Sequence, residues 1–259
     1  MTTSLSARPT GIDAASASTA PIPFSRLVRV EWIKATDTRA ARWLLALVAL
    51  STAGMMLVPV LDESSFDQTH ASYLRVAALG LTVLLPVVTI LMFTGEWSQR
   101  SVMTTFTQEP RRLRVVNAKL AVSLLLGTGG AAFGALVSAA GVALAEASGR
   151  TPAGDMSVGV VASYLLYVLL NVFAAVALGA LLHNSAAAIA ASFALPAGFA
   201  LIGKASSLVS EWIDMSTTWN WMLQNDWGGH LPQISVSVAF WVGVPLAAGM
   251  FRTVRRDVG

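Results

Sequence analysis

Six stretches of this chain run for 18 residues or more without a single Asp, Glu, Lys or Arg: 43–61, 76–95, 120–145, 158–182, 185–203 and 234–251. A helix needs about 20 apolar residues to cross the hydrocarbon core of a bilayer. One ionised side chain at mid-depth costs about 2.5–3.5 kcal/mol on insertion scales. Six clean runs in 259 residues therefore predict six transmembrane helices. The runs are rich in Ala, Gly and Leu and show no alternation of period two over about ten residues, which argues against a barrel. The expected fold class is an all-α integral membrane protein. Charged residues make up 12% of the chain, about half the usual share of a soluble domain. The sequence contains no cysteine, which removes disulfide frameworks, thiol catalysis and Cys-based zinc sites.

Charge placement predicts the orientation. Summed over alternate connecting segments, one side of the membrane carries 14 Lys/Arg against 6 acids, and the other 3 against 8. Lys and Arg concentrate on the cytoplasmic side, so both termini are expected there. The net charge of +3 then reflects topology and not nucleic-acid binding. Residues 1–23 are rich in Ser, Thr, Ala and Pro and lack the apolar core of a signal peptide; they read as a disordered cytoplasmic tail. Within 24–42, Phe24, Leu27, Val28, Glu31, Trp32 and Ala35 recur at helical spacing while Arg26, Arg29 and Lys34 project elsewhere. That pattern predicts an amphipathic elbow helix at the cytoplasmic interface. The transmembrane domain occupies 43–251, and 252–259 forms a short basic cytoplasmic tail.

The residues offer little to build an enzyme from, so no catalytic, cofactor-binding or metal-ligating residue is expected. His70, His183 and His230 fall in three separate loops, and no metal-ligand spacing links them. Acids and bases within spans, the usual mark of a proton or ion path, are absent from all six runs. Asn171 is the most polar residue within a span and reads as a bond to a neighbouring helix. The heptapeptide GFALIGK at 198–204 fits the start of a phosphate-binding loop. Ala205 stands where Ser or Thr would hold magnesium, and the segment closes a span instead of following a strand, so the match reads as accidental. Gly130, Gly134, Ser138 and Gly141 give the third span a small-residue face for close packing, by default against a helix of the same chain. Pro86, Pro196 and Pro245 are expected to kink their helices.

Two polar segments exceed what a connector needs. Residues 95–119, GEWSQRSVMTTFTQEPRRLRVVNAK, are long for a helix hairpin. They predict a short helix over 97–106 and a second beginning at Pro110, together a cytoplasmic elbow suited to a soluble partner. A basic loop facing lipid headgroups would explain the arginines but not Trp97, Met103 and Phe106. Residues 204–233 hold Trp212, Trp219, Trp221 and Trp227, half of the eight tryptophans. Tryptophan favours the headgroup level, so one or two re-entrant or interfacial helices are expected there. They read equally well as a membrane anchor and as an extracytoplasmic cap over a path.

The stretch 95–119, with Gly95-Glu96, Ser101, Thr105, Pro110-Arg111-Arg112 and Ala118-Lys119, resembles the first cytoplasmic loop of bacterial ABC-2 type transporter permeases. Ser101 stands where Thr is commoner in that family. The likeness extends to the layout of an amphipathic entry helix, six spans, cytoplasmic termini and a folded-back segment before the last span. It implies the membrane subunit of an ATP-driven exporter in the bacterial cytoplasmic membrane. The partners it implies are a second permease chain, the same or homologous, and two copies of a cytoplasmic ABC ATPase that would hold ATP and Mg. This chain itself would bind no cofactor. The family's coupling element would fall on Glu96, Trp97, Arg100, Ser101, Thr105 and Phe106. The elbow helix, with Phe24, Leu27, Val28 and Trp32, would lie against it, and the turn His183–Asn184 would be a minor second contact. The charge-free spans fit an apolar or amphipathic cargo. The competing expectation is a six-helix channel, or a sensing or scaffold subunit, with no ATPase partner.

Overall fold

The computed structural model describes residues 22–62, 66–98 and 111–255. Ten α-helices follow one another among them: α1 (Phe24–Thr36), α2 (Arg39–Leu61), α3 (His70–Ser98), α4 (Arg112–Ala147), α5 (Val158–Leu182), α6 (Ser185–Gly203), α7 (Ser207–Trp212), α8 (Met215–Leu223), α9 (Leu231–Val238) and α10 (Val244–Arg255). A π-helical turn, Ala239–Gly243, joins α9 to α10. Six helical stretches are long and apolar enough to cross a membrane: α2 to α6, and Leu231–Thr253. Each contains one of the six charge-free runs, so the chain is an all-helical membrane-spanning protein. The described residues form no strand, only one bridge between Thr69 and Ala153.

The bundle is arranged around α3. Its most apolar stretch is 67% buried, against 6% for α6. Leu74, Ala78, Leu81 and Leu85 of α3 enter one core with Val48 of α2, Val122 and Leu126 of α4, and Tyr164, Val168 and Val172 of α5. The exposed faces of the outer helices remain apolar, with Leu50 on α2 and Leu201 on α6 each about two-thirds exposed. Lipid tails are as apolar as Leu, so packing in a membrane depends on close approach and shape more than on segregating hydrophobic residues. Close approach is what the glycines provide. A Cβ on Gly134 would lie 2.8 Å from Leu81 Cδ1, and one on Gly141 would lie 2.8 Å from Met56 Cγ. The small-residue face of α4 thus receives side chains of α2 and α3 of its own chain. Asn171 departs from its expected role, because its Nδ2 donates to the Tyr167 carbonyl one turn back, 2.9 Å away, and not to another helix.

Element boundaries differ from the sequence reading in three places. The elbow helix ends at Thr36 and not at 42, because the Thr38 side chain caps a new helix by accepting from Ala41 N at 3.1 Å. The second arm of the 95–119 segment starts at Arg112; Pro110 lies outside the described residues. Trp97 and Ser98 are the last residues of the long α3 and do not start a short helix of their own. The rest of that expected helix, 99–106, lies outside the described residues, as does most of the 1–23 tail. Of the prolines, Pro86 and Pro196 sit within α3 and α6, joined by Pro59 in α2, which the sequence reading passed over. Pro245 follows the π-turn, in which Val244 N–H bonds the carbonyl five residues back at Ala239. Such a widened turn suits a ring that would otherwise clash with the carbonyl four residues before it.

The end of the bundle away from the termini is stitched by loop contacts. Arg150 donates to the terminal carbonyls of α2, at 3.0 Å to Pro59 O and 2.7 Å to Val60 O. Helix C-terminal carbonyls have no partner within the helix, so this guanidinium satisfies two of them.

At two glycines an added Cβ would lie 2.6 Å from the backbone of a neighbouring helix, Gly80 at Thr52 Cα and Gly249 at Ala180 C. Backbone atoms cannot rotate away, so Gly80→Ala should destabilise by about 1–3 kcal/mol. Gly54 has open space at the same position, and Gly54→Ala should leave stability unchanged or raise it by up to about 1 kcal/mol. Thermal unfolding in detergent, followed by tryptophan fluorescence, tests the contrast.

Candidate functional site: a buried four-charge junction at the basic end

At the end of the bundle that carries most of the Lys and Arg, three separate elements meet: α1, the last turn of α3 and the first turns of α4. With 36 residues, α4 is about 54 Å long at 1.5 Å per residue. It overruns the roughly 30 Å hydrocarbon core, so its first turns can carry charge. Glu31 points from α1 into the junction and is 3% exposed; Lys119 points back from α4 and is 4% exposed. Lys119 Nζ lies 2.8 Å from Glu31 Oε2 and 3.3 Å from Glu96 Oε2 at the end of α3. Lys34, one turn after Glu31 on α1, closes the circuit at 2.8 Å from Glu31 Oε1 and 2.7 Å from Glu96 Oε1. The result is a ring of alternating sign with two carboxylates, two ammoniums and no net charge. Lys119 Nζ also donates to Met92 O at 3.3 Å.

Balanced charge and hydrogen bonds to both buried groups are what make this burial tolerable. Burial by itself would lower the Lys34 pKa. The hydrogen bonds and charges of Glu31 and Glu96 outweigh it and hold the ammonium above the usual lysine value of 10.5.

Further contacts at this end fasten neighbouring elements to the junction. Arg114 donates to Ile22 O at 2.5 Å, and Arg112 donates to Thr253 O at 3.2 Å. The Trp97 ring stands 4.2 Å from the His183 imidazole with the planes 34° apart. His183 is the left-handed residue (φ 52°) that lets α5 turn directly into α6. Its Nε2 is 3.0 Å from Thr253 Oγ1. Asn184 then caps α6 by accepting from Ala187 N at 2.9 Å. Two hydroxyls of α3, Thr94 Oγ1 and Ser98 Oγ, meet Ser185 Oγ at 2.7 and 2.8 Å. Trp97 and the His183–Asn184 turn, expected as separate contacts, therefore share one surface.

The sequence-derived site residues divide as follows. Glu96 faces inward as a member of the ring, and Trp97 is half-buried against His183. Arg100, Ser101, Thr105 and Phe106 lie outside the described residues. On α1, Leu27 and Val28 are half-buried on the inner side, whereas Phe24 and Trp32 are 44% and 39% exposed. Glu31, Lys34 and Lys119 were not among the expected site residues. Their signal was present in an acid on the apolar face of a basic helix, one turn from Lys34, and in a lysine at the mouth of a span.

The four tryptophans of the opposite end have different roles. Trp219 is 1% exposed and packs with Met222, Ile234, Trp241 and Ala174, so its ring is covered by protein and does not face lipid. Trp227 Nε1 donates to Ser163 Oγ at 2.9 Å, Trp221 stacks on His230 at 3.9 Å, and Trp212 is half-buried. Asp214 caps α8, accepting from Ser216 N at 2.9 Å, and the Trp241 indole donates to Ile213 O at 2.7 Å. The segment 204–230 is therefore a folded unit packed on α5 and the last span.

Residues 198–203 of the phosphate-loop look-alike are part of the continuous helix α6. Their backbone N–H groups are committed to that helix and form no anion cradle. Among the described residues no three His, Cys, Asp or Glu side chains converge as metal ligands. No protein-family model matches the chain, and no curated protein matches it.

Two measurements probe the ring. Glu31→Ala or Lys119→Ala leaves a buried charge without its partner and should cost about 3–5 kcal/mol, with the joint replacement Glu31→Leu/Lys119→Met recovering most of the loss. Lys34→Ala, at a 41% exposed side chain, should cost about 0.2–1 kcal/mol. Thermal unfolding in detergent ranks the three. The sign of the pH effect follows from Lys34: a lysine raised in the folded state contributes stability that is complete below its unfolded value of 10.5. That contribution is lost as pH rises through the folded value. Proteolysis of α1 should therefore be flat from neutral pH to about 10 and accelerate only above that.

Proposed function

We propose that this chain is the permease subunit of an ABC-2 type transporter, forming the membrane pathway of an ATP-driven exporter. ATP and Mg are held by a separate cytoplasmic ATPase present in two copies. The observation that carries the reading is the four-charge junction, because it makes α1, the end of α3 and the start of α4 move as one body. The segment joining α3 to α4 is the one that resembles the first cytoplasmic loop of such permeases. A loop that must transmit force needs rigid roots, and Glu96 and Lys119 lie on either side of it. The expectation that this chain binds no cofactor and catalyses nothing belongs to the same reading. On this reading the basic end and both termini face the cytoplasm of a bacterial cell, and the tryptophan-rich cap lies outside.

In mechanical terms, ATP binding draws the two ATPase copies together. Each would move the loop following Trp97, and the ring would carry that movement to α1 and α4. The contact of Trp97 with His183 would extend it to the α5–α6 turn. A second permease chain completes the pathway, for which the nearly unburied α6 leaves apolar surface. The charge-free spans favour an apolar or amphipathic cargo.

The test is purification in mild detergent with the native partner. An ATPase recovered in equal amount is the expected outcome, and Trp97→Ala, Arg100→Ala or Phe106→Ala should each lower its recovery or uncouple its hydrolysis. Recovery of a pure homo-oligomer, or variants that bind and couple normally, would favour a channel or scaffold without a motor.

A further inference from the structure

Between α1 and the bundle lies a cavity of about 1160 Å³ that the four-charge ring only partly walls. Its floor is hydrocarbon: Leu44 of α2 with Val88, Leu91 and Met92 of α3. Its charged lining is the ring together with Arg26 of α1. From Val88 to Glu96 the wall of α3 climbs about 12 Å at 1.5 Å per residue. That is the passage from membrane interior to headgroup level, because the charge-free run of α3 ends at Gly95. The ring is neutral within itself. Arg26 adds a cation that this balance does not include, and it is exposed on the cavity side of α1. Residues 24–42 together hold five Lys/Arg against two acids. A cavity of this kind matches a molecule with one negative group and one long apolar tail. At that depth in a membrane, such molecules are the anionic phospholipids of the surrounding leaflet.

We propose that this cavity is a binding site for one anionic phospholipid, its phosphate beside Arg26 and an acyl chain laid along Leu44, Val88 and Met92. The lipid fills the space beneath α1 and secures its apolar side, while the ring secures its charged side. The site belongs to this chain alone and stands or falls independently of an ATPase partner. A second cavity of about 510 Å³, between α4 and α5 and lined by Ala135, Ser138, Tyr164 and Leu165 among others, contains no Lys or Arg. Its one imidazole, His70, has Nδ1 2.8 Å from Gly154 O, and with no fixed cation the cavity serves as an internal control.

The full chain, purified alone and stripped of lipid by extended detergent washing, is titrated with phosphatidylglycerol, phosphatidylcholine or inorganic phosphate under native mass spectrometry. The expected result is one phosphatidylglycerol retained per chain, at least about fivefold tighter than phosphatidylcholine, the contribution of roughly one cation at a membrane surface. Arg26→Gln should abolish that preference without changing the unfolding temperature. Leu44→Trp should weaken both lipids, and Ala135→Trp should change neither. If Leu44→Trp fails to fold, the Arg26 comparison still decides. The proposal is overturned if wild type retains both lipids equally, if Arg26→Gln behaves as wild type, or if inorganic phosphate alone displaces the lipid.

Discussion

Hydrocarbon offers no hydrogen bonds, so a chain that crosses it must satisfy every backbone polar group from within and leave its charges at the two ends. The rest of this structure follows from that requirement. The six apolar stretches are helical because helices close their own hydrogen bonds. Their termini, where carbonyls and N–H groups lack partners, are where polar side chains appear: Thr38 and Asn184 at N-termini, and Arg150 on the last carbonyls of α2. Between the ends, cohesion comes from fit. Gly80 against Thr52 and Gly134 against Leu81 bring helices to distances that any larger residue would prevent.

The same requirement explains why the charged residues buried at the basic end meet partners of opposite sign. Glu31 and Lys119 are almost fully buried, and either alone would be an expensive defect. Paired with Lys34 and Glu96 they form a neutral ring. Its members come from positions 31, 34, 96 and 119 of the chain. The basic end of the bundle is thereby a single mechanical unit, into which Trp97 and His183 bring the α5–α6 turn as well.

The spans were legible because their signal is one-dimensional: the absence of charge over 18 residues or more survives any ignorance of packing. The amphipathic character of α1 was also legible, and its helical spacing from Phe24 to Ala35 stops one residue short of the helix end at Thr36; that the rest of 24–42 starts a new helix was not, since Thr38 acts as a cap only once the chain bends there. The ring could not be read because it depends on distance in space. Nothing in the spacing of Glu31 and Lys119 says that they meet, and the sequence reading assigned Glu96 outward to a partner when it also faces inward to two lysines. Trp219 marks another limit. Its residue type suggests exposure to headgroups, yet α8 folds over the last span and its ring is covered by protein. Residue type indicates what a side chain faces when a helix stands alone in lipid, and does so poorly when a second layer of protein covers it.

The alternation of sign along α1 has one more consequence. Glu31 and Lys34 occupy neighbouring turns of one helix face. A slip of α1 by one turn would bring a carboxylate of α1 towards Glu96 and leave Lys119 without its closest counter-ion. The four charges therefore work as a keyed fit that admits one register, so α1 can tilt or travel with its neighbours but cannot ratchet along them.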